Sequence, residues 1–529
     1  MTTRGAAADL PHLHLQRWAA AGALLIVTAA SVPAIAHYSG APWRAFFFCL
    51  VAGGLLPLAI LIGRSPFRIL TAAFLWLGFW AKFVAHFALG AQFNEPIGLF
   101  SGSAGAWDRA LLMATAGLSG VAVALVLVAR LGSTEPRPAK EASADLLSRF
   151  GLVLLAISLL PALALFGFNS VFSILRVGFV PKLALHPYLY VIVAFAVSWG
   201  ILLWLLALAW WLVGRQRLAP TSLVYIADVE GSLAALSMGS RVQMLLHVCA
   251  GLFVLWQGML SRRWHIPFSG WLRMSAVVTP LFVATLLVVS LDRAVSFAEA
   301  EISPQAEVRH PDTSDAKGKP AGELNSSALE DQAIARPTPS AGAEPRRQAA
   351  VESRIRTIPH EIGSLFLMRW IGLDGVLATI ETDDRLGLPL LREVIREQPA
   401  AGVDAIFQRM SHSVYTRLDN FVFMTIPGPV AIAALSGSAF ICFLALAGMV
   451  VIGTLIEHLG LRLTANPAVA VVAGVALAYL LVQMNFPRTL FFFAIELVLA
   501  LLAIAAVGWM LGAYRPLSRP FAATPLNPA

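Results

Sequence analysis

Residues 220–241 read PTSLVYIADVEGSLAALSMGSR. The stretch is about as long as a bilayer span. It nevertheless carries Asp228 and Glu230 near its middle and ends in Ser240 and Arg241. An ionisable group at the centre of a membrane helix costs on the order of 3 kcal/mol, so such groups face a protein interior or a polar cavity. Whether this stretch spans also fixes the sidedness of everything after it.

The rest of the chain sets the class. Of 529 residues, 58% are hydrophobic and 13% are charged, where a soluble domain carries about 25% charged residues. Runs of about 20 apolar residues recur along most of the chain. The expected fold is all-α: a polytopic helical membrane protein with about twelve transmembrane helices and a large periplasmic loop of short helices. The net charge of +8 does not point to nucleic acid, because the basic residues sit mainly in short loops, where they set orientation. Cys49, Cys249 and Cys442 all lie inside apolar runs, and neither a disulfide framework nor zinc-ligand spacing follows from them.

The expected spans are 18–36, 45–63, 69–90, 110–130, 150–168, 188–213, 219–239, 242–260, 274–291, 428–456, 467–486 and 489–512. Ala34-Ile35-Ala36 resembles a signal-peptide cleavage site. The apolar run is long and further spans follow at once, so the first segment reads as a span. With the N-terminus in the cytoplasm, Arg64, Arg68, Arg130, Arg137, Lys140, Arg149, Arg215 and Arg217 lie inside. Arg262, Arg263 and Arg273 join them only if 219–239 spans, as do Arg462, Arg515 and Arg519. The positive-inside rule therefore favours a helix there and both termini in the cytoplasm of a bacterial inner membrane.

Four regions follow: membrane helices in 1–291, a disordered periplasmic tether at 292–352, a helical periplasmic loop at 353–420, and the last membrane helices in 421–529. The tether is rich in Ala, Pro, Ser, Glu and Gln and cannot bury enough apolar surface to fold. In the loop, 362–380 has apolar residues at helical spacing and 388–396 is a second amphipathic candidate. Short helices lying on or capping the membrane surface are expected there. Trp107 reads as an interfacial anchor.

Candidate functional residues come from charge where charge is costly. Glu230, Ala234, Ser237 and Arg241 share one helix face. Lys82 and His86 share another, with Lys82 a partner for Glu230, Asp228 or a ligand phosphate. Arg176 and Lys182 stand in a short external loop, where basic residues are disfavoured unless something there needs them. The large loop adds several arginines, Arg369 among them, and His360 and His412. Guanidinium groups bind phosphate with two hydrogen bonds, and histidine can act as a base near neutral pH. No Walker loop, no GxGxxG after a strand and no HExxH occurs, so no metal site or cofactor is expected.

The order of these features resembles the O-antigen ligase and O-antigen repeat-unit polymerase superfamily of integral-membrane glycosyltransferases. SMGSR (237–241) closes one span and opens the next, SRRWH (261–265) makes a basic turn, another span returns, and a large outer loop carries Arg369-Trp370 and LGLPLLREV (386–394). The Gly-rich turn usual after the loop helix is reduced here to 386–389. The resemblance implies that Arg241, in the Ser240-Arg241 element, and Arg369 hold the diphosphate of a polyprenyl-linked glycan; Arg176, Lys182 and Lys82 are further substrate-binding candidates from their position and charge. It implies that a loop histidine, His360 or His412, assists the acceptor hydroxyl and that no metal is required; Glu230 is a further catalytic candidate from its place on the Arg241 face. The implied partners are a polyprenyl-diphosphate-linked glycan, membrane lipid, and chain-length or export proteins. The alternative class is a transporter or flippase, to which buried acids and a lysine inside helices are suited.

Overall fold

A computed structural model of the chain describes residues 10–63, 65–130, 146–261, 264–302, 370–382, 384–413 and 424–513. The helices are α1 (Leu10–Ala36), α2 (Pro42–Ile62), α3 (Pro66–Leu89), α4 (Ala104–Ala129), α5 (Leu146–Phe172), α6 (Pro187–Gly214), α7 (Ser222–Met238), α8 (Arg241–Leu260) and α9 (Phe268–Ile302). The short helices α10 (Leu373–Ile380), α11 (Leu388–Arg396), α12 (Ile406–Met410) and α13 (Gly428–Ala434) follow. The chain then forms α14 (Ala439–Thr464), α15 (Pro467–Val482) and α16 (Pro487–Met510). Among the described residues 10 helices are long and apolar enough to cross a membrane. The protein is an all-α polytopic membrane protein.

The two helices of spanning position that fall short of that length are informative. Helix α7 has 17 residues and carries the two acids of the opening stretch. Helix α15 has 16 residues, 13 of them buried. It packs against α3, α6, α8 and α14. Enclosed by protein, it need not match the lipid thickness. Between membrane helices the association is driven by close packing rather than by exclusion of water. Helices α4 and α14 show it: a Cβ on Gly120 would lie 2.1 Å from the Phe443 carbonyl oxygen.

By contacts the chain divides into two units, one of 1–289 with 362–529 and one of 290–361. Of the second, residues 290–302 are described, and they are helical as the end of α9. The expected tether therefore begins as helix over 292–302, and its remainder lies outside the described residues.

Two expectations are corrected. The segment 428–456 is not one span. Helix α13 ends at Ala434, the chain turns through 435–438, and α14 begins at Ala439. Gly437 sits at φ +68°, the left-handed region that glycine adopts without strain. Ser436 Oγ donates to the Ala433 carbonyl at 2.7 Å, and Ser438 Oγ caps α14 by accepting from Ile441 N at 3.4 Å. The triplet is a turn.

Nor is α10 an exposed amphipathic helix. Residues 373–379 are all buried, packed against α4 and α13. Trp107 is also interior, 4% exposed among the rings of His86, Phe87 and Phe100.

Contacts gather the loops at one end of the first unit. Gly98 N donates to the Ser411 carbonyl at 3.1 Å, Gly387 N to Leu435 at 2.8 Å, and Gly428 N to Met484 at 3.0 Å. Glu381 accepts from Ser101 N at 2.7 Å and pairs with Arg109 at 2.9 Å. Those hydrogen bonds, with the Arg109 charge, hold the Glu381 carboxyl below its ordinary range. The opposite end has its own polar lock. Ser65 caps α3 and donates to Glu457 of α14. Arg68, expected in a cytoplasmic loop, is instead 7% exposed beside that carboxylate.

Candidate functional site

The break between α7 and α8 is the first place where predicted residues meet. Gly239 ends α7 at φ +61°, which turns the chain without the clash a side chain would bring. Ser240 is buried there, and Arg241, half-buried, is the first residue of α8. The segment after α5 is tied to this break. Asn169 Nδ2 donates to the Ser237 carbonyl at 3.0 Å and to Leu175 at 3.2 Å, while its Oδ1 accepts from Leu175 N at 2.8 Å. Val177 N donates to the Met238 carbonyl at 2.8 Å. Arg176 is thereby set against the turn: a Cβ on Gly239 would lie 3.4 Å from its Nε. Its guanidinium also covers the Phe179 ring at 4.2 Å. Lys182 is exposed in the same loop, with its N–H on the Phe172 carbonyl at 3.0 Å. Arg176 thus lies against the turn that carries Ser240 and leads into Arg241.

Below the turn Glu230 has a partner the sequence reading missed. His247 Nδ1 lies 2.5 Å from Glu230 Oε2, with both side chains out of solvent. The other ring nitrogen is 2.9 Å from the Ser198 carbonyl and 2.6 Å from Gln243 Nε2. Gln243 Nε2 also donates to Ser198 O. Ser198 lies in a π-helical segment of α6, Ala196–Gly200. Such a bulge leaves a carbonyl outside the regular ladder, and here two side chains of α8 use it. Gln243 and His247 are four apart, the same signal that singled out Lys82 and His86. Held at both nitrogens and 0% exposed, His247 joins α6, α7 and α8. Glu230 is committed to it through one oxygen, and its Oε1 has no hydrogen-bond partner.

Asp228, two residues away, faces elsewhere as expected. It is 1% exposed, and neither carboxyl oxygen has a hydrogen-bond partner.

Lys82 is not near Glu230, Asp228 or an open site. Its Nζ is 2.7 Å from Asp374 Oδ2, and the two side chains are 0% and 2% exposed. Asp374 also accepts from Gly372 N at 3.3 Å. The approach is made possible at Gly78 and Gly372. A Cβ on Gly78 would fall 2.2 Å from the Ile371 carbonyl oxygen, and one on Gly372 2.2 Å from the Gly78 oxygen. Gly78 belongs to a second π segment, Trp76–Ala81, which ends where Lys82 begins. Asp374 is therefore the counter-ion of a lysine inside a spanning helix. His86 caps its own helix instead, with Nδ1 2.9 Å from the Ala91 carbonyl.

Of the loop residues, His412 is exposed, at φ +50°, just after α12. His360 and Arg369 lie outside the described residues. Trp370, next to Arg369, is stacked on Phe74 of α3 with ring centres 4.8 Å apart. Among the described residues no three His, Cys, Asp or Glu side chains are arranged to hold a metal ion. Comparison of the chain with known protein families, with curated proteins and with solved structures finds no match.

Proposed function

We propose that the protein is a glycan polymerase or ligase of the inner membrane, with 292–420 in the periplasm. It would move an oligosaccharide from a polyprenyl-diphosphate donor to a hydroxyl of an acceptor glycan or lipid. The observation that supports this reading most is that Arg176 packs against the Gly239–Ser240 turn from which Arg241 opens α8. In the proposed reaction the acceptor oxygen attacks the donor sugar at C1. The bond from C1 to the diphosphate oxygen breaks, and polyprenyl diphosphate leaves with the electron pair. Fixed guanidiniums stabilise that gain of charge. The acceptor proton passes to a base, for which His412 is exposed and His360 is the sequence's other candidate.

The test is transfer by purified protein. A polyprenyl-diphosphate glycan should be lengthened or passed to acceptor without nucleotide and in the presence of chelator.

A second reading, a carrier of lipid-linked or small-molecule substrate, is favoured by the buried acids of α7. The unpartnered oxygens of Asp228 and the Glu230–His247 pair are the kind of groups that bind protons in transport. Substrate movement that needs an ion gradient and forms no new glycosidic bond would select it.

A further inference from the structure

A cleft of about 840 Å³ opens between α11 and α12, a size typical of small-molecule sites. We infer that it binds an acidic saccharide. Arg392 and Arg396, four apart on α11, line it together with Arg409 of α12. Among the described residues, neither Arg392 nor Arg396 has a hydrogen-bond or ion-pair partner. Arg409 spends one N–H on the Asp404 carbonyl at 2.5 Å. Guanidinium groups are always charged and fit carboxylates with paired hydrogen bonds.

The other lining residues decide the class of ligand. Glu393 and Glu397 stand among the arginines. Glu397 accepts from Ile406 N at 2.8 Å, which leaves Glu393 to accept from a ligand. A bare phosphate dianion would be repelled by these carboxylates. A sugar acid suits both signs: its single negative charge meets the arginines, and its hydroxyls donate to Glu393. Leu388, Pro389 and Ile406 give the cleft an apolar wall for the C–H faces of a sugar ring, and Leu388 is 61% exposed. The cleft is separate in sequence from Arg176, Ser240 and Arg241. Its role as a seat for the acceptor glycan rests on the transfer reaction proposed above, but binding can be measured without it.

The test uses the purified full chain in detergent and, as probe, an acidic trimer made of two galactose residues and one galacturonic acid, read by calorimetry. The trimer should bind in a salt-sensitive way. The Arg392→Ala/Arg396→Ala double variant should bind it about tenfold more weakly or worse, the scale of losing charge-assisted hydrogen bonds. Both positions are exposed, so the variant should unfold at the wild-type temperature. A neutral galactose trimer should fail to compete, and inorganic phosphate should compete only at far higher concentration. Equal affinity in the double variant, equal binding of the neutral trimer, or phosphate as strong as the acidic trimer would each overturn the inference. Absent glycan transfer beside intact trimer binding would count against the enzyme reading alone.

Discussion

Lys82 Nζ of α3 stands 2.7 Å from Asp374 Oδ2 of α10, and the pair is closed off from solvent. A span and a segment of the large loop are therefore one packed body. Breaking a buried pair by removing one partner costs roughly 3–5 kcal/mol, because a charge is left uncompensated, whereas replacing both by apolar groups can be neutral. Lys82→Met and Asp374→Leu should each lower the unfolding temperature of the purified protein sharply. The double variant should recover most of the loss. Additive losses would mean that the two side chains do not interact.

The Glu230–His247 contact makes a prediction that separates shape from charge. Glu230→Gln keeps a hydrogen-bonding group opposite His247 Nδ1 and should be mild. Glu230→Leu strands that nitrogen in a dry interior, at a cost of about 1–3 kcal/mol. Thermal unfolding of the two variants in parallel should show this order. If both behave alike, the imidazole has another anchor.

Arg241→Ala should reduce glycan transfer by roughly a hundredfold, the scale of losing one preorganised donor to developing charge. Lysine should rescue in part, since it keeps the charge and loses the fork. The amount of protein in the membrane should stay near wild type. Full activity in the alanine variant would assign Arg241 to anchoring.

The proposed saccharide cleft should respond to pH. Burial raises the Glu397 carboxyl above its ordinary value, so it gains a proton at a higher pH than a free glutamate. As pH falls from neutrality through that raised value, the cleft loses a negative charge and the acidic trimer should bind more tightly. The gain should end when the saccharide's own carboxylate protonates. In Glu397→Gln the gain should be missing, and a wild-type profile there would place the titrating group elsewhere.

Sidedness has its own measurement. A reporter fused near residue 342 should be periplasmic, and one near Trp264 cytoplasmic. The reverse at 342 would remove the proposed orientation, and the outer-face reaction with it.

Most of the fold could be read from the chain because apolar run length is a direct demand of the bilayer. The spans at 188–213 and 242–260 match α6 and α8 within a residue or so. The misreadings fell where backbone detail competes with hydropathy. Ser436-Gly437-Ser438 breaks an apolar run by one left-handed residue, which no average over a window registers. The role of Asp374 could not be read from its own segment, since its cation lies 292 residues earlier. Of the site, Arg176 could be singled out as a charge placed where charge is disfavoured, but its packing against the turn before Arg241 could not be read from the chain. His247 was passed over because a histidine in an apolar run is ordinarily core. Its role depends on a π bulge in another helix, and nothing in a local pattern predicts that carbonyl.

The Lys82–Asp374 contact also dictates an order of synthesis. Lys82 enters the membrane long before its counter-ion is made, and until then its charge has no compensation inside the bilayer. Helix α10 can be seated only when α3 and α4 are in place, and α13 and α14 then close around it. In the proposed orientation, the nascent chain sends the residues after α9 across and then packs a piece of them, α10, among the assembled helices. Insertion and folding are thus separate events in this protein. A chain released before residue 374 would carry a membrane lysine with no partner, a natural mark for quality-control proteolysis of unfinished copies.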